Sequence, residues 1–270
     1  MLRAVSGGAL ALAAVAGGYT GGPAFAGLVA FLVVVMAFEW TRMVEGRELT
    51  PAFYALAATG ALAASAASAG AYIAAYGACA LGGLAAFAAA RRAGRAASSW
   101  VAFGAAYFVA PCIALLWLRD AVDGGRAITL FLFLVVWSAD SAAYFAGRFF
   151  GGPRLSPLLS PSKTWAGAAA GVLAGGLAGA LCGPGLFDAG DAFGDQVGGA
   201  AFHVLIGASL GLASILGDLA ESAFKRGFGV KDASGFIPGH GGALDRLDGM
   251  IFATVAMTAV LFGHSLASRL

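Results

Sequence analysis

Nine apolar runs, separated by short polar breaks, constrain this chain more than any other feature. They fall at about 5–19, 22–40, 51–67, 69–89, 100–118, 128–147, 165–182, 199–224 and 249–267. Crossing a bilayer as a helix takes about 20 apolar residues, a length most of these runs approach, the first and third being the shortest. A water-soluble reading fails on composition. The chain is 60% hydrophobic and only 11% charged, against roughly 25% charged in soluble domains. One core cannot hide that much apolar surface, so lipid has to act as solvent for much of the chain. Backbone groups facing lipid must bond within their own segment, which selects helices, and the alternating pattern of a membrane barrel is absent. The expected fold is therefore an all-α integral membrane protein of about nine transmembrane helices. The 42 glycines suit close helix contacts. Cys79, Cys112 and Cys182 lie far apart, with neither disulfide nor metal spacing.

Basic residues set the expected orientation. With the N-terminus in the cytoplasm, only Arg119, Arg126 and Arg269 of the 16 Lys and Arg fall on the far side, as the positive-inside rule requires. The C-terminus is then outside. The outer loop near 183–198 carries Asp188, Asp191 and Asp195 and no base. A multi-pass protein of the cell membrane is expected, of the bacterial inner-membrane kind, with its active face toward the cytoplasm. Arg3, the first apolar run and Ala24-Phe25-Ala26 also fit a leader with a cleavage site. Cleavage would leave the later spans in the same orientation, and retention is the expectation. Residues 1–99 hold about four spans and 100–270 about five, with cytoplasmic loops at 148–164 and 225–248. Net charge is +2, and no nucleic-acid partner is expected.

The polar residues gather in those two loops and the helix ends beside them. Asp218, Glu221, Ser222 and Lys225 are spaced i, i+3, i+4 and i+7, which places them on one helical face. At 1.5 Å per residue Asp218 lies roughly 10 Å from Lys225, on the membrane side. An acid there is costly and needs a counter-charge. Asp245 and Asp248 are again three apart, at the start of the last helix. Carboxylates suit a hard cation such as Mg²⁺, which keeps waters and bridges substrate phosphates. Asp218, Asp245 and Asp248 are thus the candidate metal ligands and catalytic acids. Lys225, Arg226, Lys231 and Arg246 are candidate phosphate partners, while Gly241 and Gly242 let the backbone approach a ligand. Asp140, an acid near the end of an apolar helix with Tyr144 on its face, is a binding candidate in its own right. Ser162, Lys163 and Thr164 precede a helix, where amides and hydroxyls hold a phosphate. Capping explains Ser162 or Thr164 equally well. No P-loop frame precedes Lys163. Gly167, Gly171, Gly175 and Gly179 read as a helix-packing stripe. Glu39, beside Trp40 and Arg42, reads as interfacial, and His203 and His264 read as packing or interface residues. Arg91, Arg92 and Arg95 read as topology anchors.

Ser222, Phe224-Lys225-Arg226, Lys231-Asp232, Ser234, Ile237-Pro238, His240-Gly241-Gly242, Asp245-Arg246 and Asp248 together resemble the signature of the phosphatidate cytidylyltransferases. Trp137, Asp140, Ala143-Tyr144 and Gly147-Arg148 resemble a second segment of that family, and Ser160-Pro161 with Lys163-Thr164 a third. Two positions depart from the pattern. Ala243 stands where the family carries a larger apolar residue, and Ala166 replaces a glutamate. The likeness covers roughly residues 100–270; the first 100 match only as apolar helices. It implies cytidylyl transfer from CTP to phosphatidate, giving CDP-diacylglycerol and pyrophosphate for phospholipid biosynthesis. It implies Mg²⁺ with or without a second cation, CTP, phosphatidate and membrane lipid as partners, and a homodimer. Ser222, Gly241 and Gly242 join the substrate contacts, and His240 a catalytic role. Another CTP-dependent lipid enzyme stays open as an alternative. A transporter fits less well, because the polar residues cluster at one membrane face and no repeated halves are visible.

Overall fold

A computed structural model describes residues 2–187, 200–235 and 241–267. The expectations for Asp188, Asp191, Asp195, His240 and Arg269 lie outside the described residues, as does the side chain of His264. Nine helices are present among the described residues: α1 (Leu2–Thr20), α2 (Gly22–Glu45), α3 (Pro51–Ser68), α4 (Tyr72–Arg92), α5 (Ser98–Asp120), α6 (Gly125–Phe149), α7 (Trp165–Phe187), α8 (Ala200–Gly227) and α9 (Leu244–Ala267). Seven of them are long and apolar enough to cross a membrane. The exceptions are α1, whose described apolar stretch is Gly7–Thr20, and α3. In α3 a proline, a glycine, a threonine and two serines dilute the 18 residues. Large apolar side chains point away from the protein along the helices, Ile73 with 92% and Leu173 with 73% of their surface exposed. Water would penalise that surface and lipid does not. The chain is an all-α multi-pass membrane protein.

The helices form two compact units, one of Met1–Ala121 with Lys225–Leu247, the other of Val122–Phe224 with Asp248–Leu270. Helix α5 groups with the helices before it, and so do residues 225–235 and 241–247.

In the first unit the core gathers on Trp40, which is fully buried. Its ring meets Tyr107 at 5.3 Å and Phe228 at 6.5 Å, and its Nε1 donates to the Trp100 carbonyl at 2.9 Å. Helix α2 ends at Gly46, in the left-handed conformation that most favours glycine. Helix α3 starts with Thr50 accepting from the Phe53 amide and with Pro51 in the first turn, where its missing N–H costs nothing. Helix α5 carries a π turn over Ala105–Val109. Pro111 has no N–H for the turn before it, and the ladder shifts so that the Ala110 amide reaches the Ala105 carbonyl.

In the second unit α6 is followed by a feature the first polar loop did not announce. Strands β1 (Arg154–Ser156) and β2 (Ser160–Thr164) pair antiparallel, Arg154 opposite Thr164 and Ser156 opposite Ser160. The glycine stripe then packs as expected. A Cβ on Gly167 would sit 2.7 Å from the Ala143 carbonyl of α6, while Gly175 and Gly179 lie against the backbone of α8 at Gly207 and His203.

Candidate active site

Two carboxylate clusters occupy the polar ends of α8 and α9. The first lies in the second unit. Gly217 of α8 rests directly on the Asp248 carbonyl of α9, and Gly249 rests on the Ser214 side chain. No residue with a Cβ would permit that approach. It brings the Asp218 and Asp248 carboxyl groups into hydrogen-bonding contact, with Glu221 close enough to act on Asp248 electrostatically. Asp248 and Glu221 are buried. Lys163 comes in from the end of β2, its Nζ 2.5 Å from Asp218 Oδ2. The lysine is held in place by its neighbours. Ser160 and Thr164 are buried, and Thr164 Oγ1 accepts from the Gly167 amide at 3.1 Å, capping α7. Ser214, fully buried in α8, donates to Asp140 Oδ1 of α6 at 2.9 Å.

The second cluster lies in the first unit and is built differently. Asp245 accepts from Lys225 Nζ at 2.6 Å, from the Gly242 amide at 2.8 Å and from the Ala233 amide at 3.2 Å. Gly241 has a positive φ of 80°, and a Cβ there would lie 2.7 Å from the Asp245 carboxylate. The turn thus requires glycine. Glu39 of α2 is fully buried beside this turn. Its carboxylate accepts from Ser234 Oγ at 2.5 Å, from the Ala243 amide at 2.9 Å and from the Leu244 amide at 2.8 Å.

The structure brings together Asp218, Asp248 and Lys163 in one cluster, and Asp245, Lys225 and Gly242 in the other. Asp245 and Asp248 are neighbours along one helix, yet their carboxylates have different partners. Arg226, Lys231 and Arg246 are exposed, as is Ser162, and Ser222 is half-buried. His240 lies outside the described residues. Thr164 is buried and caps α7. Glu39 corrects the interfacial reading: it is an interior residue with three hydrogen bonds. Its signal in the sequence was an acid within an apolar run, which is a functional candidate by default. Ser214 was missed because a serine in a membrane helix carries little signal on its own.

Among the described residues no group of three or more His, Cys, Asp or Glu side chains is arranged to hold a metal by itself. Asp218 and Asp248 nonetheless suit a hard divalent ion. Two carboxylates in contact repel unless a proton or cation lies between them. Magnesium is ordinarily held by one or two carboxylates, with waters and substrate phosphates completing its shell. Asp245 offers less, since its oxygens are already taken by an ammonium and two amides.

The fold and these clusters define a polytopic membrane protein with a carboxylate–lysine site at its helix ends. A profile of the cytidylyltransferase family matches residues 1–263, and the chain belongs to that family. Phosphatidate cytidylyltransferase of Brucella suis biovar 1 (strain 1330) is 35% identical over 183 residues, covering 61% of this chain and 57% of the relative. The protein of that name from Haemophilus influenzae is 45% identical over 129 residues, covering 48% and 43%. The one from Pseudomonas aeruginosa is 38% identical over 137 residues, covering 51% and 48%. The matches thus span little more than half the length of these relatives at most.

Proposed function

We propose that the protein transfers the cytidylyl group of CTP to phosphatidate, giving CDP-diacylglycerol and pyrophosphate for phospholipid synthesis. The observation that carries this reading is the Asp218–Asp248 carboxylate pair with the Lys163 ammonium against it. It stands in a family whose relatives are named for this reaction. In the step itself a phosphate oxygen of phosphatidate forms a bond to the α-phosphorus of CTP. The bond from that phosphorus to the oxygen bridging to the β-phosphate breaks, and that oxygen leaves with pyrophosphate. The nucleophile is already anionic, so no strong base is needed. The barrier lies in bringing two anions together, and positioning with charge neutralisation must lower it.

Each residue then has a task. Asp218 and Asp248 would hold Mg²⁺, which would supply Lewis-acid neutralisation of phosphate charge when bound. Lys163 orients Asp218 and presents its charge to the triphosphate. Asp245 fixes Lys225 and the Gly241-Gly242 turn, and Lys225 meets phosphate charge from that support. Arg226, Lys231 and Arg246, exposed along the sequence signature, draw in the substrates. Asp140, tied to Ser214, and Ser222 border the polar helix ends, and Ser162 and His240 join the substrate contacts by resemblance. The site faces the cytoplasm of a bacterial inner membrane, where CTP arrives from water and phosphatidate by lateral diffusion. The working unit is a homodimer.

The test is direct. Purified protein is incubated with phosphatidate, Mg²⁺ and each nucleoside triphosphate in turn, and the lipid product is identified by mass spectrometry. CDP-diacylglycerol with pyrophosphate release, from CTP, is the expected result. Release of CDP with a phosphorylated lipid would mark a kinase instead, and no lipid product with any nucleotide would remove the reaction altogether.

A further inference from the structure

The signature loop is anchored by a residue nearly two hundred positions before it. Helix α9 begins at Leu244, and the residue before it is Ala243, whose side chain has no oxygen. The amides of Arg246 and Leu247 bond to the Ala243 carbonyl, so Ala243 occupies the capping position. A helix start leaves backbone amides without intrahelical partners, and a Ser, Thr, Asp or Asn there normally supplies the acceptor. Here the acceptor comes from elsewhere. Glu39 Oε1 takes the Ala243 amide and the Ser234 hydroxyl, while Oε2 takes the Leu244 amide. The carboxylate also has the placement that favours an anion at the positive end of a helix.

Three further observations make this a fitted clamp. Glu39 has no exposed surface, and Gly242, Ala243 and Leu244 are buried around it. A Cβ on Gly242 would sit 2.6 Å from Glu39 Oε1, so the loop backbone is pressed against the carboxylate. Trp40, the next residue of α2, holds Phe228 at the other end of the loop, with Trp100 also on that ring at 5.9 Å. The amides flanking this clamp belong to the same turn that bonds Asp245, through Gly242, and Asp245 in turn holds Lys225.

We propose that Glu39 is a positioning residue: its carboxylate caps α9 from α2 and pins Ser234, fixing the turn that sets Asp245 and Lys225. The kinetic part of this proposal rests on the reaction assigned above; the structural part does not. A glutamine at 39 keeps the shape but not the chemistry. Whichever way its amide turns, an NH₂ faces a backbone N–H and at least one buried donor loses its acceptor.

The experiment uses the full chain in detergent or nanodiscs, as wild type, Glu39→Gln, Ser234→Ala and the double variant. Hydrogen–deuterium exchange by mass spectrometry reads the loop, and steady-state kinetics with CTP and phosphatidate read the reaction. In Glu39→Gln, exchange should rise in peptides that include residues 241–247 and stay at the wild-type level in α6 and α7. The same variant should lose about 10- to 100-fold in kcat, the equivalent of one buried charge-assisted hydrogen bond. Ser234→Ala should produce a smaller change of the same kind, and the double variant should fall short of the two losses combined, because both act on one carboxylate. Should Glu39→Gln fail to fold, Ser234→Ala carries the test: raised exchange confined to the loop upholds the clamp, and unchanged exchange overturns it. Wild-type exchange and kcat in Glu39→Gln would also overturn it. Raised loop exchange in a protein that makes no CDP-lipid even as wild type would uphold the clamp and retire the reaction.

Discussion

The two carboxylate clusters use the same residue types and do opposite things with them. At Asp218 and Asp248 two carboxyl groups touch each other, Glu221 adds a third acid nearby, and one lysine answers them. Asp248 and Glu221 are buried, so these acids meet where burial penalises their charged forms. At Asp245 and Glu39 the carboxylates are near each other but not in contact, and each is bonded by three donors, mostly backbone amides. The first arrangement sets two carboxyl groups in direct contact, which repel unless a proton or cation lies between them. The second is a finished structural joint. Acids in a membrane protein thus divide by whether they face one another or face hydrogen-bond donors, and under the proposed function the facing pair is where a metal-bound triphosphate would sit.

Substitutions that should separate the two clusters fall in a graded series. Asp218→Asn and Asp248→Asn should each lower the rate of CDP-diacylglycerol formation by about 10³-fold, the scale of losing a group that stabilises developing charge. Loop exchange should stay at the wild-type level in both. Comparable turnover in either variant would dissolve the distinction. Asp245→Asn should cost about 10²-fold, because Lys225 loses its counter-charge, and here exchange in the loop should rise as well. A loss of turnover with an unaltered loop would move Asp245 into the first class. Gly242→Ala forces a methyl against the Glu39 carboxylate, 2.6 Å away, and should lower turnover by roughly tenfold and the thermal midpoint by a few degrees. Ser214→Ala removes a single hydrogen bond to Asp140, and an effect of about threefold or less is expected in the same assay.

The sequence reading placed an apolar run on each of the nine helices among the described residues, because an apolar run bounded by charge is a one-dimensional signal that lipid enforces. The residues of the signature loop were visible for the same reason, being polar where the chain is otherwise apolar. Their division into two clusters was not. Asp245 and Asp248 sit three apart and read as one pair, but helix spacing gives a shared face, not shared partners. Glu39 lies 195 positions from Ser234, and the tryptophan and arginine beside it imitate a membrane-interface anchor. The hairpin at Arg154–Ser156 and Ser160–Thr164 was hidden by its brevity and its prolines. The π turn of α5 carried one clue, Pro111, inside a run that otherwise reads as continuous helix.

Manganese binding, read by electron paramagnetic resonance on the purified protein with CTP present, probes the site without turnover. Wild type and Asp245→Asn should each hold Mn²⁺ tightly, with ³¹P coupling from the nucleotide, while Asp218→Asn/Asp248→Asn should hold none at the same concentration. Undiminished Mn²⁺ binding in that double variant would contradict the assignment of the metal-nucleotide site to the Asp218–Asp248 pair.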